Sequence, residues 1–168
     1  EARWLFDLEP ARIEVLIHPQ SVVHGMVTFK DGAVLAHLGP PDMRNPIQYA
    51  MTWPESAPSP AALLDLARAG RLDFEKPDLD RFPALRLGHE ALRRGGTAGA
   101  VLNGANESAV EAFLEGRLRF DRIVPLVEAV FDRHRTVPRP GLAEILEADR
   151  WAREEAEGRI SRHAPRVL

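Results

Sequence analysis

The sequence predicts an α+β protein: a partial sheet carrying a β-hairpin, followed by a C-terminal antiparallel helical bundle. Three observations lead there. Apolar residues alternate on both sides of an Asp31-Gly32 pair, residues 55–60 (ESAPSP) have the composition of a linker, and a helical apolar period dominates from Asp80 onward. The expected organisation is therefore a sheet-bearing segment over 1–54, a linker over 55–79 and a helical bundle over 80–168.

The opening EARWLF reads as the end of an amphipathic helix whose beginning is missing, so the chain is expected to be part of a longer one. Ile13 to Ile17 is rich in branched residues and Pro19 closes it, which predicts a strand ending at His18. A second strand runs from about Val22 to Lys30. Asp31-Gly32 tolerates the positive φ angles of a two-residue type I′ turn, and the return strand covers Ala33 to Leu38. With that turn Phe29 opposes Val34, Val27 opposes Ala36, Met26 opposes His37 and His24 opposes Gly39. One face, Val23, Gly25, Val27 and Phe29 with Val34, Ala36 and Leu38, would then be the core side. His24, Met26 and Thr28 would share the other face with Leu35 and His37, which puts His24 beside the loop Gly39-Pro40-Pro41-Asp42-Met43.

Asp42 can cap a helix from about Arg44 to Thr52, ended by Trp53-Pro54. PAALLDLARAG reads as a short helix closed by Gly70, and Arg71 to Phe74 as a brief extended piece. In the bundle, Phe82, Leu85, Leu87, Ala91 and Leu92 form one stripe before Gly95-Gly96. Ala100 to Leu114 forms a second helix stopped by Gly116, and Ile123 to His134, capped by Asp121, a third. The fourth runs from Leu142 to about Arg159, with Leu142, Ile145, Leu146, Ala148 and Trp151 to pack and Glu and Arg alternating on its outer face.

Composition narrows the function classes. The formal charge of -3 and pI of about 6.1 leave no basic footprint for nucleic acid or an anionic membrane surface. With no cysteine there is no disulfide framework, thiolate nucleophile or cysteine-rich zinc site. No apolar run reaches the roughly 18 residues of a membrane span, and the cytoplasm is the expected compartment. No P-loop, GxGxxG, GxSxG or HExxH occurs. His18, His24 and His37 could meet a metal, but no Asp or Glu stands at ligand spacing and Pro19 breaks the strand. Satisfied or surface imidazoles are the preferred reading, and no residue is assigned as a metal ligand.

GPPDMRNPI is more specific, a stiff loop before a helix start in which Met43 offers a polarizable thioether to a flat heteroaromatic ring. Its structural alternative is a plain helix cap with Met43 in the core. Together with IHPQSVVHGMVTFKDGAVLAHL, LDFEKPDLDRFPALRL and AVLNGANESAVEAFL, this loop resembles the C-terminal part of the 1-deoxy-D-xylulose 5-phosphate reductoisomerase family, over essentially the whole chain. The resemblance implies the end of a catalytic α/β domain, a linker and the helical bundle of an NADPH-dependent enzyme of non-mevalonate isoprenoid synthesis. It converts 1-deoxy-D-xylulose 5-phosphate, a phosphorylated ketose, to 2-C-methyl-D-erythritol 4-phosphate with Mg²⁺ or Mn²⁺.

Residue by residue, the resemblance implies that His24 is the active-site histidine of the HPQSxxH motif. Ser21 would stand in the same wall, and Pro41 and Met43 would lie near the nicotinamide. It places the metal ligands, most phosphate contacts and the cofactor domain upstream of Glu1, and implies a homodimer whose fragment alone is inactive. Asn103, Asn106 and Glu107 of NGANE are expected to hydrogen-bond their surroundings rather than to catalyse. The competing readings are a non-catalytic interaction or dimerisation module and a small histidine-metal protein. His18 has no assigned part.

Overall fold

The computed structural model describes residues 2–163. They divide into two compact units, one of residues 15–77 and one of residues 2–14 with 78–163.

In the first unit, the strands β1 (Val23–Thr28) and β2 (Val34–Leu38) pair antiparallel. The turn is not the two-residue one expected. The Phe29 N–H donates to the Ala33 carbonyl at 2.8 Å, and the Gly32 N–H to the Phe29 carbonyl at 3.0 Å, enclosing Lys30, Asp31 and Gly32. Only Gly32 takes a positive φ, +86°, while Asp31 stays in ordinary space and its carboxylate accepts the Ala33 N–H at 2.9 Å. A type I′ turn needs two residues at positive φ, and here one glycine supplies the left-handed step of a three-residue loop.

The pairing therefore slips by one residue. Thr28 opposes Val34, Val27 opposes Leu35, Met26 opposes Ala36 and Gly25 opposes His37. Val27 thus shares its face with Leu35 and His37, not with Val34 and Ala36, which corrects the expected assignment of faces. Beyond Gly25 the ladder is irregular: Val23 pairs with Leu38, leaving His24 as the extra residue of a β-bulge. Among the described residues neither face of this sheet is covered as the expected core side would be: Val27, Phe29 and Val34 are all more than half exposed.

The expected strand at 13–18 reduces to an isolated bridge between Ile17 and Glu75, whose two backbone hydrogen bonds are both 2.9 Å. The helix α2 (Arg44–Thr52) has the expected bounds. The helix in PAALLDLARAG is only α3 (Leu66–Ala69), started by the Asp65 carboxylate on the Arg68 N–H and closed by Gly70 at φ 72°. Residues 55–77 are tied to 15–54 by Gln48 on the Pro58 carbonyl and by Ser59 on Asn45, as well as by the Ile17 bridge.

The second unit holds α1 (Ala2–Leu5), α4 (Ala84–Arg94), α5 (Ala98–Leu114), α6 (Ile123–Phe131) and α7 (Leu142–His163). Arg94 bonds to the Phe131 carbonyl and Thr97 to His134, so α5 begins where α6 ends and the two run oppositely. Gly104 lies against Asp149 and Glu107 pairs with Arg153, so α5 and α7 run the same way.

Their contact is built from small residues. Ala98, Val101, Ala105, Ala109 and Ala112 of α5 are fully buried, as are Ala152 and Ala156 of α7. Small side chains let two helices approach closely, and Gly104 marks the tightest point, where an added Cβ would stand 2.8 Å from Asp149 Oδ1. Val127, Val130 and Phe131 of α6 complete the core. The packing expected of Leu142 and Leu146 is absent, since both are mostly exposed and the buried stripe of α7 starts at Ala148. Asp121 does not cap α6 but sits in a 3-10 turn before it, paired with Arg119.

At the start of α5, Thr97 is fully buried and its hydroxyl bridges two groups. It accepts the Val137 N–H at 3.0 Å and lies 2.7 Å from His134 Nε2. Gly96, at φ 49°, lets the chain pass the Val137 carbonyl, onto which any Cβ would fall.

Candidate functional site

The segment from Ile17 to His24 is held at both ends. His18 Nδ1 donates to the Asp73 carbonyl at 2.7 Å, and its ring stacks on Phe74 with centroids 4.6 Å apart. Its Nε2 is buried and has no partner among the described residues. His18 is thus a structural anchor. Gln20 embraces Asp73 twice, donating to Oδ2 at 2.5 Å and accepting the Asp73 N–H at 3.2 Å. Neither partner was legible as a pair, since 53 residues separate them.

Ser21 closes the turn by donating its N–H to the His18 carbonyl at 3.0 Å. Its φ of 51° is left-handed, which costs a non-glycine residue about 1–3 kcal/mol and persists only where the surroundings enforce it. The side chain is exposed. Val22, next in the chain, is buried and its carbonyl accepts the Gly39 N–H at 2.9 Å.

His24 then occupies the bulge. Its Nε2 lies 3.2 Å from the Gly39 carbonyl, and its ring centroid is 6.0 Å from that of His37. A carbonyl only accepts, so Nε2 is the donor in this contact and Nδ1 is left to a further partner. The structure therefore joins His24 to the start of the Gly39–Met43 loop, through a side chain rather than through the expected strand pairing.

Pro41 and Met43 are exposed, Met43 by 71%. An apolar side chain is held in the open there because its two neighbours are clamped together. Arg44 Nε donates to both Asp42 oxygens at 3.0 Å, Arg44 Nη2 to Oδ2 at 2.5 Å, and the Arg44 N–H to Oδ1 at 2.9 Å. Those side-chain bonds, then the backbone one, hold the Asp42 carboxyl down to about 2, so it stays ionised and the clamp stays closed through neutral pH. Sequence reasoning took Asp42 for a helix cap and missed the fork with Arg44.

No three His, Asp or Glu side chains among the described residues converge as they would around a metal ion. In the bundle, Asn103 donates to Glu107 at 3.0 Å, and Arg153 joins Glu107 to Asp149 at 2.5 and 2.8 Å. Those bonds lower the Glu107 carboxyl, the Arg153 contact most. Asn106 lines a shallow groove beside them with Val110, Glu111 and Leu114.

A paired-strand unit presenting a histidine and a proline-methionine loop, with a helical bundle following it in sequence, is the arrangement of a reductoisomerase's carboxyl-terminal part. The family model described as the DXP reductoisomerase C-terminal domain matches residues 38–155, and the chain belongs to that family.

Among named relatives, the 1-deoxy-D-xylulose 5-phosphate reductoisomerase of Pseudomonas aeruginosa is 52% identical over 164 residues, 98% of this chain and 41% of the relative. The solved reductoisomerase of Zymomonas mobilis in complex with NADPH superposes with a TM-score of 0.86 at 41% identity, covering 95% of this chain and 42% of that one. A reductoisomerase in complex with NADPH, fosmidomycin and magnesium gives 0.87 at 39% identity, covering 98% and 43%. The chain thus spans about two fifths of the length of the relatives it matches. No helix of the described residues is long and apolar enough to cross a membrane.

Proposed function

We propose that the chain is the carboxyl-terminal portion of a cytoplasmic, homodimeric, NADPH-dependent reductoisomerase. Its substrate is 1-deoxy-D-xylulose 5-phosphate and its product 2-C-methyl-D-erythritol 4-phosphate. In this reading residues 1–54 end the catalytic domain, 55–79 connect, and 80–168 form the helical domain, residues 1 and 164–168 lying outside those described. The observation that carries it is the joining of His24 to the Gly39–Met43 loop through the Gly39 carbonyl.

Each residue has a distinct task. His24, fixed through Nε2, offers the Nδ1 lone pair to a substrate hydroxyl, which orients the ketose without a search over ring rotations. Ser21 adds a second polar contact from its strained turn. Pro41 and Met43 form an apolar wall against the nicotinamide and exclude water from the hydride path. NADPH supplies the hydride when bound. In this reading Mg²⁺ or Mn²⁺ is held by residues of the enzyme that this chain does not span.

The test is turnover by the full-length protein, followed as NADPH oxidation with the ketose phosphate and Mg²⁺. His24→Ala is expected to lower kcat/KM by about a hundredfold with the melting temperature unchanged. Wild-type kinetics in that variant would remove His24 from the site. Chelation of the metal is expected to abolish turnover, and Mn²⁺ to restore it.

A further inference from the structure

We infer that Gln20 and Asp73 are positioning residues of this site: their mutual grip sets the left-handed turn at Ser21 and so the placement of Ser21 and His24. The inference rests on the functional reading above and assigns a part to residues outside the wall itself.

The geometry carries it. Ile17 bridges to Glu75, His18 bonds to the Asp73 carbonyl and stacks on Phe74, and Gln20 bonds twice to Asp73, so one short segment is held to three consecutive residues. A left-handed serine needs surroundings that over-determine it. Those surroundings are here, one residue before the strained position. Immediately after it Val22 is fixed to Gly39, and His24 to the same glycine. The segment is thus fastened on both sides of the two residues it presents. Asp73 is also within 3.1 Å of Arg71, which keeps the carboxylate oriented while it accepts from Gln20.

Remove the Asp73 side chain and Gln20 keeps only the backbone N–H of residue 73. The turn can then relax to a right-handed or extended Ser21, which moves the serine hydroxyl and the start of β1 together. Asn at 73 retains an oxygen for the Gln20 amide and should keep the turn.

The experiment uses the full-length enzyme. Asp73→Ala is expected to lower kcat/KM for the ketose phosphate about tenfold, with KM for NADPH changed less than twofold, and Asp73→Asn to recover activity to within threefold of wild type. In a Ser21→Ala/His24→Ala background, Asp73→Ala should cost less than twofold, because the groups it positions are gone. A purely structural role would lower activity by the same factor in both backgrounds, and that result overturns the inference. So does Asp73→Ala with wild-type kinetics. Should Asp73→Ala fail to fold, Gln20→Ala is put through the same cycle with the same criteria. A full-length wild-type protein without reductoisomerase turnover overturns the functional reading instead, so the two failures are distinct.

Discussion

The two units bury their apolar residues very differently. In the bundle, Ala98, Val101, Val130 and Phe131 are fully removed from solvent and every helix from α4 to α7 contributes to one core. In the hairpin unit only Val22 and Ala61 are buried, while Val27, Leu35 and Ile47 lie more than half exposed. The bundle is therefore stabilised by apolar burial, whereas the hairpin unit is held by turns, ladders and side-chain hydrogen bonds. Around Ser21 and His24 the backbone directions are fixed by the bonds to Asp73 and Gly39.

That contrast can be broken by measurement. Phe131→Ala should cost about 3–5 kcal/mol in chemical unfolding, because it empties the centre of the bundle. Thr97→Val should cost about 0.5–1.5 kcal/mol by removing the hydroxyl that accepts the part-buried Val137 N–H. Leu35→Ser on the exposed sheet should change stability by less than about 0.5 kcal/mol in this chain. If Leu35→Ser costs as much as Phe131→Ala, the asymmetry is wrong.

A subtler probe is pH. Desolvation, then the nearby Arg94 charge, lowers the His134 imidazole below the ordinary 6.5. A histidine with a depressed folded value binds fewer protons folded than unfolded, so its stabilising contribution is complete above 6.5 and is lost as pH falls through the folded value. His134→Gln, which keeps an acceptor for Thr97, should flatten the melting temperature between about pH 7 and 5. An unaltered slope would mean that other groups set it.

What could be read from sequence follows the range of each signal. The hairpin, α2 and the later helices rest on contacts within a few residues, so alternation, Asp42-Met43-Arg44 and helical period located them. The register depended on whether Asp31 would take a left-handed φ, and it did not, which slipped every pair. The start of α7 looked apolar enough to pack, yet burial is decided by what lies opposite, and among the described residues Leu142 and Leu146 stay mostly exposed. Of the site, His24, Ser21, Pro41 and Met43 stand out by motif. The partnership of Gln20 with Asp73 spans 53 positions and leaves no local trace.

The bulge at His24 carries a consequence for variation by length rather than by side chain. The extra residue lets Val23 oppose Leu38 while Gly25 opposes His37. Replacing His24 would alter a contact and leave the ladder alone. Deleting it would zip β1 and β2 into a regular pair in which Val23 still opposes Leu38, and would remove the side chain that reaches the Gly39 carbonyl. Position 24 should accordingly tolerate exchange and deletion alike in the ladder and, in the proposed reading, neither in turnover.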